Sequence, residues 1–330
     1  MTPAMIDSMF YVGETPWHKE GVALDKPPTI SEALIASGLD WNVMKEPNFI
    51  KLNINGKVQE VFTNAYTTVR TDKMQPLGTV KGRYEILQNI DAFSVFEPML
   101  DMGFELETGG AIEDGKKVWI LARSPQNLLV GDDAIQKFVL LYTSHDGSSG
   151  SCWRDTGIRT VCKNTIDFAL SSKASFNYNL RHTSSIKDRV KAIKQNLVKS
   201  EGNFKEAIEV MNKWTEVKMN EESLDIYLET VVPYLKTRFK ESVPEMGVFV
   251  RNRAKPVYEK MKFNFYAGKG NNGKTLWDAY NAVTEYYTHD KEYKDWVKQT
   301  QFGAGYNYKI KAFQVAEKWA NVSKKVITSA

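Results

Sequence analysis

Between Phe104 and Ser172 the chain repeats one pattern, short apolar runs of strand character separated by turn residues. FELETGGAIEDGKKVWILARS reads as strand, tight turn, strand. KFVLLYTSHDGSSGSCWRDTGIRTVCKN continues as long strand, Gly/Ser-rich turn and strand, and TIDFALSS is a short helical run. Apolar runs bounded by such turns are strands. Strands joined by connections this short pair antiparallel, because a parallel crossover needs many more residues. The stretch therefore predicts an antiparallel sheet of hairpins that ends in a helix, a β-β-β-α type of core. Arg154, Arg159 and Lys163 crowd the join where the last strand feeds that helix.

The segments around this sheet fall into two classes. Residues 1–40, punctuated by Pro3, Gly13, Pro16, Gly21, Pro27 and Pro28, read as a loosely ordered N-terminal arm. The arm carries one capped helix, from Thr29 to the stop at Gly38, and Trp17 with His18 reads as an aromatic anchor. Phe49–Ile54 and Lys57–Phe62 flank Asn55-Gly56, a dipeptide suited to a type I′ hairpin because both residues tolerate positive φ. Ala65–Arg70 and Leu77–Leu87 add β-rich segments. Asn89 is placed to cap a helix from Ile90 to Met102, bent at Pro98 and stopped by Gly103, and Asp114-Gly115 marks a second hairpin turn.

After Ser172 the period becomes helical. Ile186, Val190, Ile193 and Leu197 share a face, as do Phe204, Ala207, Ile208, Met211 and Trp214. Further helices are expected over Leu224–Phe239, Phe249–Phe265, Leu276–Tyr287 and Tyr308–Ala320. The fold class is thus α+β. Residues 41–183 form the α+β core and candidate DNA-binding part, and 184–330 a helical C-terminal region.

A chain of 330 residues, 42% hydrophobic and 25% charged, buries a core of ordinary size. No apolar run is long enough to span a bilayer, so no membrane partner is expected. The start of the chain lacks the features of a secretory signal, and Cys152 and Cys162 suit a reducing cytoplasm better than a disulfide framework. The net charge of +4 is unevenly spread. Glu97, Asp101, Glu105, Glu107, Glu113 and Asp114 make the first half acidic, and the balance reverses from Arg154 to Lys199. Such segregation suggests an anionic partner.

Two motifs suggest catalysis, and each has a plainer explanation. Gly268-Lys-Gly-Asn-Asn-Gly273-Lys274-Thr275 fits the P-loop pattern, in which glycine amides cradle phosphates, a lysine reaches them and a hydroxyl binds Mg²⁺. The residues beyond it are mostly amphipathic helix and supply no later strand with a metal-binding Asp, so the expectation is a loop that caps a helix. Asp114-Gly-Lys116, with Glu105 and Glu107 upstream, resembles the acid-plus-lysine set of an Mg²⁺-dependent nuclease, but Asp-Gly is also ordinary hairpin chemistry. His18, His145, His182 and His289 lack zinc spacing with the two cysteines, and Cys162 beside Val161 reads as core. No metal site and no cofactor is expected, Mg²⁺ entering only with the enzyme alternatives.

The remaining signal is binding. Arg159 and Lys163 stand at a helix start, where free N–H groups and the dipole favour phosphate, with the aromatic Tyr142 and Trp153 in neighbouring strands. Basic residues interleaved with aromatics hold single strands without reading sequence.

LGTVKGRYEILQNIDAF (Leu77 to Phe93), ETGG, KVWILARSP, SHDGSSG, RTVCKNTI and GKTLWDAYNAVTEYYTHD (Gly273 to Asp290) resemble an uncharacterised family of phage- and plasmid-borne proteins, a domain of unknown function. The order helix, hairpin with a DGK turn, strand, strand, basic helix is in turn similar to phage single-strand annealing proteins of the Erf and Sak type and to the eukaryotic strand-annealing mediator. That similarity implies a homo-oligomeric ring or filament in the bacterial host cytoplasm that holds single-stranded DNA without a nucleotide. It implies Arg159, Lys163, Lys116 and Lys117 on phosphates, and the residue pattern adds Arg154 to these and Trp153 or Tyr142 stacked on bases. The alternatives are an Mg²⁺-dependent nuclease, a nucleotide hydrolase using Gly268, Gly273, Lys274 and Thr275, and a non-enzymatic protein-interaction module.

Overall fold

A computed structural model describes residues 6–13, 21–161, 164–166, 177–197, 201–239, 246–293, 299–300 and 303–327. Two sheets account for all the named strands. The N-terminal residues supply β1 (Ile6–Val12) and β2 (Val22–Leu24). A separate sheet follows, made of β3 (Val43–Ile54), β4 (Lys57–Arg70) and β5 (Gln75–Lys81). The patterned stretch then folds as the expected meander of β6 (Glu105–Ile112), β7 (Lys117–Val130), β8 (Asp133–Ser144) and β9 (Ser151–Arg159). β10 (Asn164–Ile166), a strand where the sequence predicts the start of a helix because its residues add to the open edge of β9, and β11 (Asn177–Leu180) share that edge, which gives the order β10-β9-β8-β7-β6-β1-β2. Every pairing is antiparallel except β1 with β2.

The segment expected as a loose arm is therefore part of the main sheet, with Met9 opposite Gly110 and Tyr11 opposite Thr108. β1 extends the meander because Met9 and Phe10, on its two faces, are both buried. Trp17 and His18 lie outside the described residues.

Strand alternation divides the large sheet's side chains between two faces. Ile120, Ala122, Val139, Leu141 and Trp153 face a core shared with four helices. These are α1 (Ile30–Ala36), α2 (Asn89–Phe93), α3 (Glu97–Asp101) and α4 (Ile186–Leu197). Thr29 caps α1 in a capping box with Glu32, as the sequence predicts. Ile186, Val190 and Ile193 join this core, so α4 packs with the sheet and not with the helical region expected to begin at residue 184. On the other face Met9, Trp119, Leu140 and Tyr142 cluster.

The C-terminal part is helical, built from α5 (Glu201–Glu216), α6 (Glu221–Val231), α7 (Met246–Ala267), α8 (Leu276–Glu285) and α9 (Ala304–Ile327). α8 is buried on every side from Leu276 to Thr284, as a central helix must be. Trp214, Tyr227, Phe265 and Phe313 surround it, and Val130 and Ile135 at the far end of the sheet belong to the same core. Among the described residues no helix is long and apolar enough to cross a membrane.

Local expectations fail where proline or a tertiary contact intervenes. The helix expected from Ile90 to Met102 is broken, not bent: α2 passes into a 3-10 turn at Ser94–Phe96, and Pro98 sits in the first turn of α3, where its missing N–H costs nothing. Asn89 does not cap α2. It is buried, donating to the Leu39 carbonyl and pairing with His145. Pro233 ends α6 in a 3-10 segment, Pro233–Phe239, and α8 runs into a π-turn, Tyr286–Asp290. Phe49–Ile54 and Lys57–Phe62 do flank Asn55-Gly56, both at positive φ, yet each belongs to a much longer strand.

A buried polar seam joins the two sheets. Gly78 of β5 sits so close to β8's end that a Cβ there would lie 2.4 Å from the Asp146 carbonyl oxygen. Thr68 Oγ1 donates to the His145 carbonyl at 2.6 Å, and Tyr84 Oη to that of Ser144 at 3.0 Å. His145 is wholly buried, its Nε2 2.8 Å from Asn89 Oδ1, and burial pushes its pKa down to about 3. His182, held through Nδ1 by the Glu85 carbonyl and stacked on Tyr84, is also pushed down by burial. The His145 ring is thus neutral in the fold at neutral pH.

The folded-state pKa of His145 lies below that of the unfolded chain, about 6.5. Its contribution is therefore full above that value and is lost as pH falls, because the unfolded chain takes up a proton that the fold excludes. At pH 5 the expected loss is about 2 kcal/mol from this residue. Denaturant unfolding at pH 7.5 and 5.0 checks this: wild type loses stability on acidification, and His145→Gln loses less between the two pH values. Equal losses would refute the assignment.

Candidate nucleic-acid interface

Arg159, the residue expected to meet phosphate, ends β9 and is completely buried. Its guanidinium donates to Asp133 Oδ2 at 2.5 Å, Gly270 O at 2.6 Å, Asn271 Oδ1 at 2.7 Å and Lys269 O at 3.3 Å, and lies over the Trp277 ring at 5.6 Å. Trp277 Nε1 donates to the same Asp133 oxygen at 2.6 Å. Arg159 thus locks the loop between α7 and α8 to the sheet.

The other expected contacts are also internal. Alternation along β9 puts Arg154 on the opposite face from Arg159, where it is buried with its guanidinium 4.1 Å over the Tyr306 ring. Trp153 and Tyr142 are buried on opposite faces of the sheet. Lys117 is buried and paired with Glu113. Lys116 is half-buried in a hairpin tip that docks elsewhere in the fold: Gly115 N donates to Asp7 at 2.9 Å, and Arg70 approaches the Asp114 carbonyl. Lys163 lies outside the described residues. Of the residues expected to form one groove, those described are not together on one exposed face.

The P-loop-like segment is preceded by a helix, α7, and not by a strand. Three of its amides are held by one carboxylate of the chain. Asn272 N, Lys274 N and Thr275 N donate to the Asp278 carboxylate at 3.3, 3.0 and 3.0 Å, and Thr275 caps α8 in a capping box with Asp278. A carboxylate of the chain itself sits where a phosphate would, which turns the motif into an N-terminal cap. The nuclease-like acids are separated in the same way. Glu105 and Glu107 pair with Arg123 at 2.5 and 3.2 Å at one end of the β6–β7 hairpin, while Asp114 lies at the other. Among the described residues no group of three His, Cys, Asp or Glu side chains is placed to hold a metal ion.

An exposed surface of suitable chemistry lies instead on the β3–β4 ribbon. β5 pairs only with Ala65–Arg70 of β4, so the ribbon runs on as two strands to the Asn55-Gly56 turn. Phe49 and Phe62 are cross-strand partners with ring centroids 5.7 Å apart, and Phe62 lies 5.6 Å from Tyr66. Phe62 and Tyr66, four residues apart, share a face by alternation, and the register shift between their partners Pro47 and Phe49, with Asn64 at positive φ, draws them together. Phe49 is 54% and Phe62 40% exposed. The Lys45 ammonium lies 5.1 Å over Tyr66, and exposed Arg83 follows Gly82, where an added Cβ would lie 3.6 Å from that ring. Lys51 stands on the same face, in an exposed pair with Glu60 at 3.7 Å that leaves it free to exchange partners. The sequence did contain the signal: a hairpin with phenylalanines directly opposite each other and apolar residues on both faces lacks a solvent face.

Residues 76–309 match the family described as "Domain of unknown function (DUF932)". The chain belongs to this family. No curated protein and no solved structure matches the chain. The DUF932 region takes in the meander, the Arg159 clamp and α8, so what it spans is the joint between sheet and helices. The ribbon precedes it in the chain.

Removing the clamp leaves Asp133 and the loop carbonyls buried without their donor. Arg159→Ala is expected to cost about 3–5 kcal/mol in denaturant unfolding. Lys does not restore it, since one ammonium cannot serve four acceptors in a fixed fork. Lys274 is exposed, so Lys274→Ala is expected to leave stability within about 0.5 kcal/mol of wild type.

Proposed function

We propose that this chain is a non-enzymatic protein that binds, and as an assembly anneals, single-stranded DNA, using the aromatic face of the β3–β4 ribbon. The observation that carries the reading is the ladder Phe49–Phe62–Tyr66 along one face, its phenylalanines exposed and Tyr66 half-buried, with Lys45 and Lys51 on that face and exposed Arg83 nearby. Large rings left in water on an extended ribbon are unusual unless something stacks on them. Bases have apolar π-faces whatever their identity, so such rings take single strands without reading sequence, while flanking cations contact the phosphates. Duplex DNA hides those faces, which favours the single strand. The exposed Lys187, Arg189 and Lys191 of α4 add positive potential that draws a polyanion to the molecule. The reading needs no nucleotide, in keeping with loop amides that already hold Asp278.

Fluorescence anisotropy with a labelled oligo(dT), repeated over a series of salt concentrations, tests the proposal, with annealing of complementary oligonucleotides measured alongside. Wild type is expected to bind with an affinity that falls as salt rises. Phe49→Ala/Phe62→Ala is expected to weaken binding at least tenfold, since stacking is worth about 1–3 kcal/mol per base. A folded double variant that binds and anneals like wild type would end this reading.

A further inference from the structure

The other face of the ribbon has a different chemistry, and its role is independent of nucleic-acid binding. Alternation places Ile50, Leu52 and Ile54 of β3 together, with Val61, Gln59 and Lys57 as their cross-strand partners. The four aliphatic side chains are 36–47% exposed. Glu46, also exposed, stands on this face at the root of the ribbon, and Lys57 stands at its tip. A two-stranded ribbon with neither face covered is marginally stable in water at best. An aliphatic stripe between an acidic end and a basic end has the composition of a contact surface.

We propose that two copies of the chain associate through this face, their ribbons stacked antiparallel about a two-fold axis. The order of charges selects a second copy as the occupant. Antiparallel stacking carries the Lys57 end of each ribbon over the Glu46 end of the other, so one face supplies both halves of two ion pairs, while Ile50, Leu52, Ile54 and Val61 fill the middle. Parallel stacking would set lysine on lysine and glutamate on glutamate. The rings of Phe49 and Phe62 remain outward on both sides of the pair.

Strand rise and spacing make the face about 25 Å by 10 Å, so the contact buries on the order of 500 Å² in total. That is the size of a weak, reversible interface. The pair is therefore expected to form as protein concentration rises and to separate on dilution.

Sedimentation equilibrium of the full chain without DNA, over roughly 10–300 μM, matches an interface of this size. Wild type is expected to pass from monomer to dimer, and Leu52→Glu to weaken the association at least tenfold. Glu46→Lys and Lys57→Glu should each weaken it, and the double variant Glu46→Lys/Lys57→Glu should restore it, a rescue that a merely structural role would not give. Circular dichroism confirms that each variant is folded. A wild type that stays monomeric throughout, as when the face serves a different protein, overturns the proposal. So does a Leu52→Glu variant that dimerises like wild type, or a charge swap that fails to restore what each single reversal removed.

Discussion

The guanidinium of Arg159 is the tie on which the arrangement of sheet and helices depends. It is fully desolvated, which is tolerable only because a carboxylate, an amide oxygen and two backbone carbonyls surround it and an indole lies beneath it. Those partners come from distant parts of the chain: Asp133 from the start of β8, residues 269–271 from the α7–α8 loop, and Trp277 from the first turn of α8. The planar fork of donors sets their relative positions, which a single-point cation would not do. α8, buried on all sides, is positioned in turn by its own cap, in which Asp278 takes up the loop's free amides.

The same logic applies to the buried basic residues of the meander. Four have an internal partner: Lys117 with Glu113, Lys137 with Asp155 at 3.5 Å, Arg154 with the ring of Tyr306, and Arg159 with Asp133. A one-dimensional charge pattern records how many cations a segment has, not whether the fold brings them anions. A cation of the basic stretch is neutralised inside the molecule by an acid from the first half, as Arg159 with Asp133 shows.

What remains for an external partner is on the outside, and there the ribbon differs from the rest of the described surface. Its two faces separate two chemistries that strand alternation keeps apart: rings with cations on one side, aliphatic side chains between opposite charges on the other. A ribbon can present two such surfaces only by standing clear of the body. That accounts for its length beyond β5 and for the apolar residues it leaves in water.

By itself the sequence determined the elements whose causes are local. The meander followed from apolar runs and turns, the Asn55-Gly56 hairpin from two residues that tolerate positive φ, the capped helix at Thr29 from side-chain chemistry within one turn, and the C-terminal helices from their periodic apolar faces. Tertiary structure decided what depends on meetings between distant residues. It took Asn89 from a capping role into the seam with His145, drew the N-terminal segment into the sheet edge beside β6, and assigned α4 to the sheet's core. It also decided which cations are buried. Arg154 and Arg159 look like neighbours in sequence, yet alternation sends them to opposite faces and burial gives each a partner that no spacing rule contains. Turn and cap energies are fixed within a few residues, whereas the fate of a charge depends on which remote group the completed fold sets beside it.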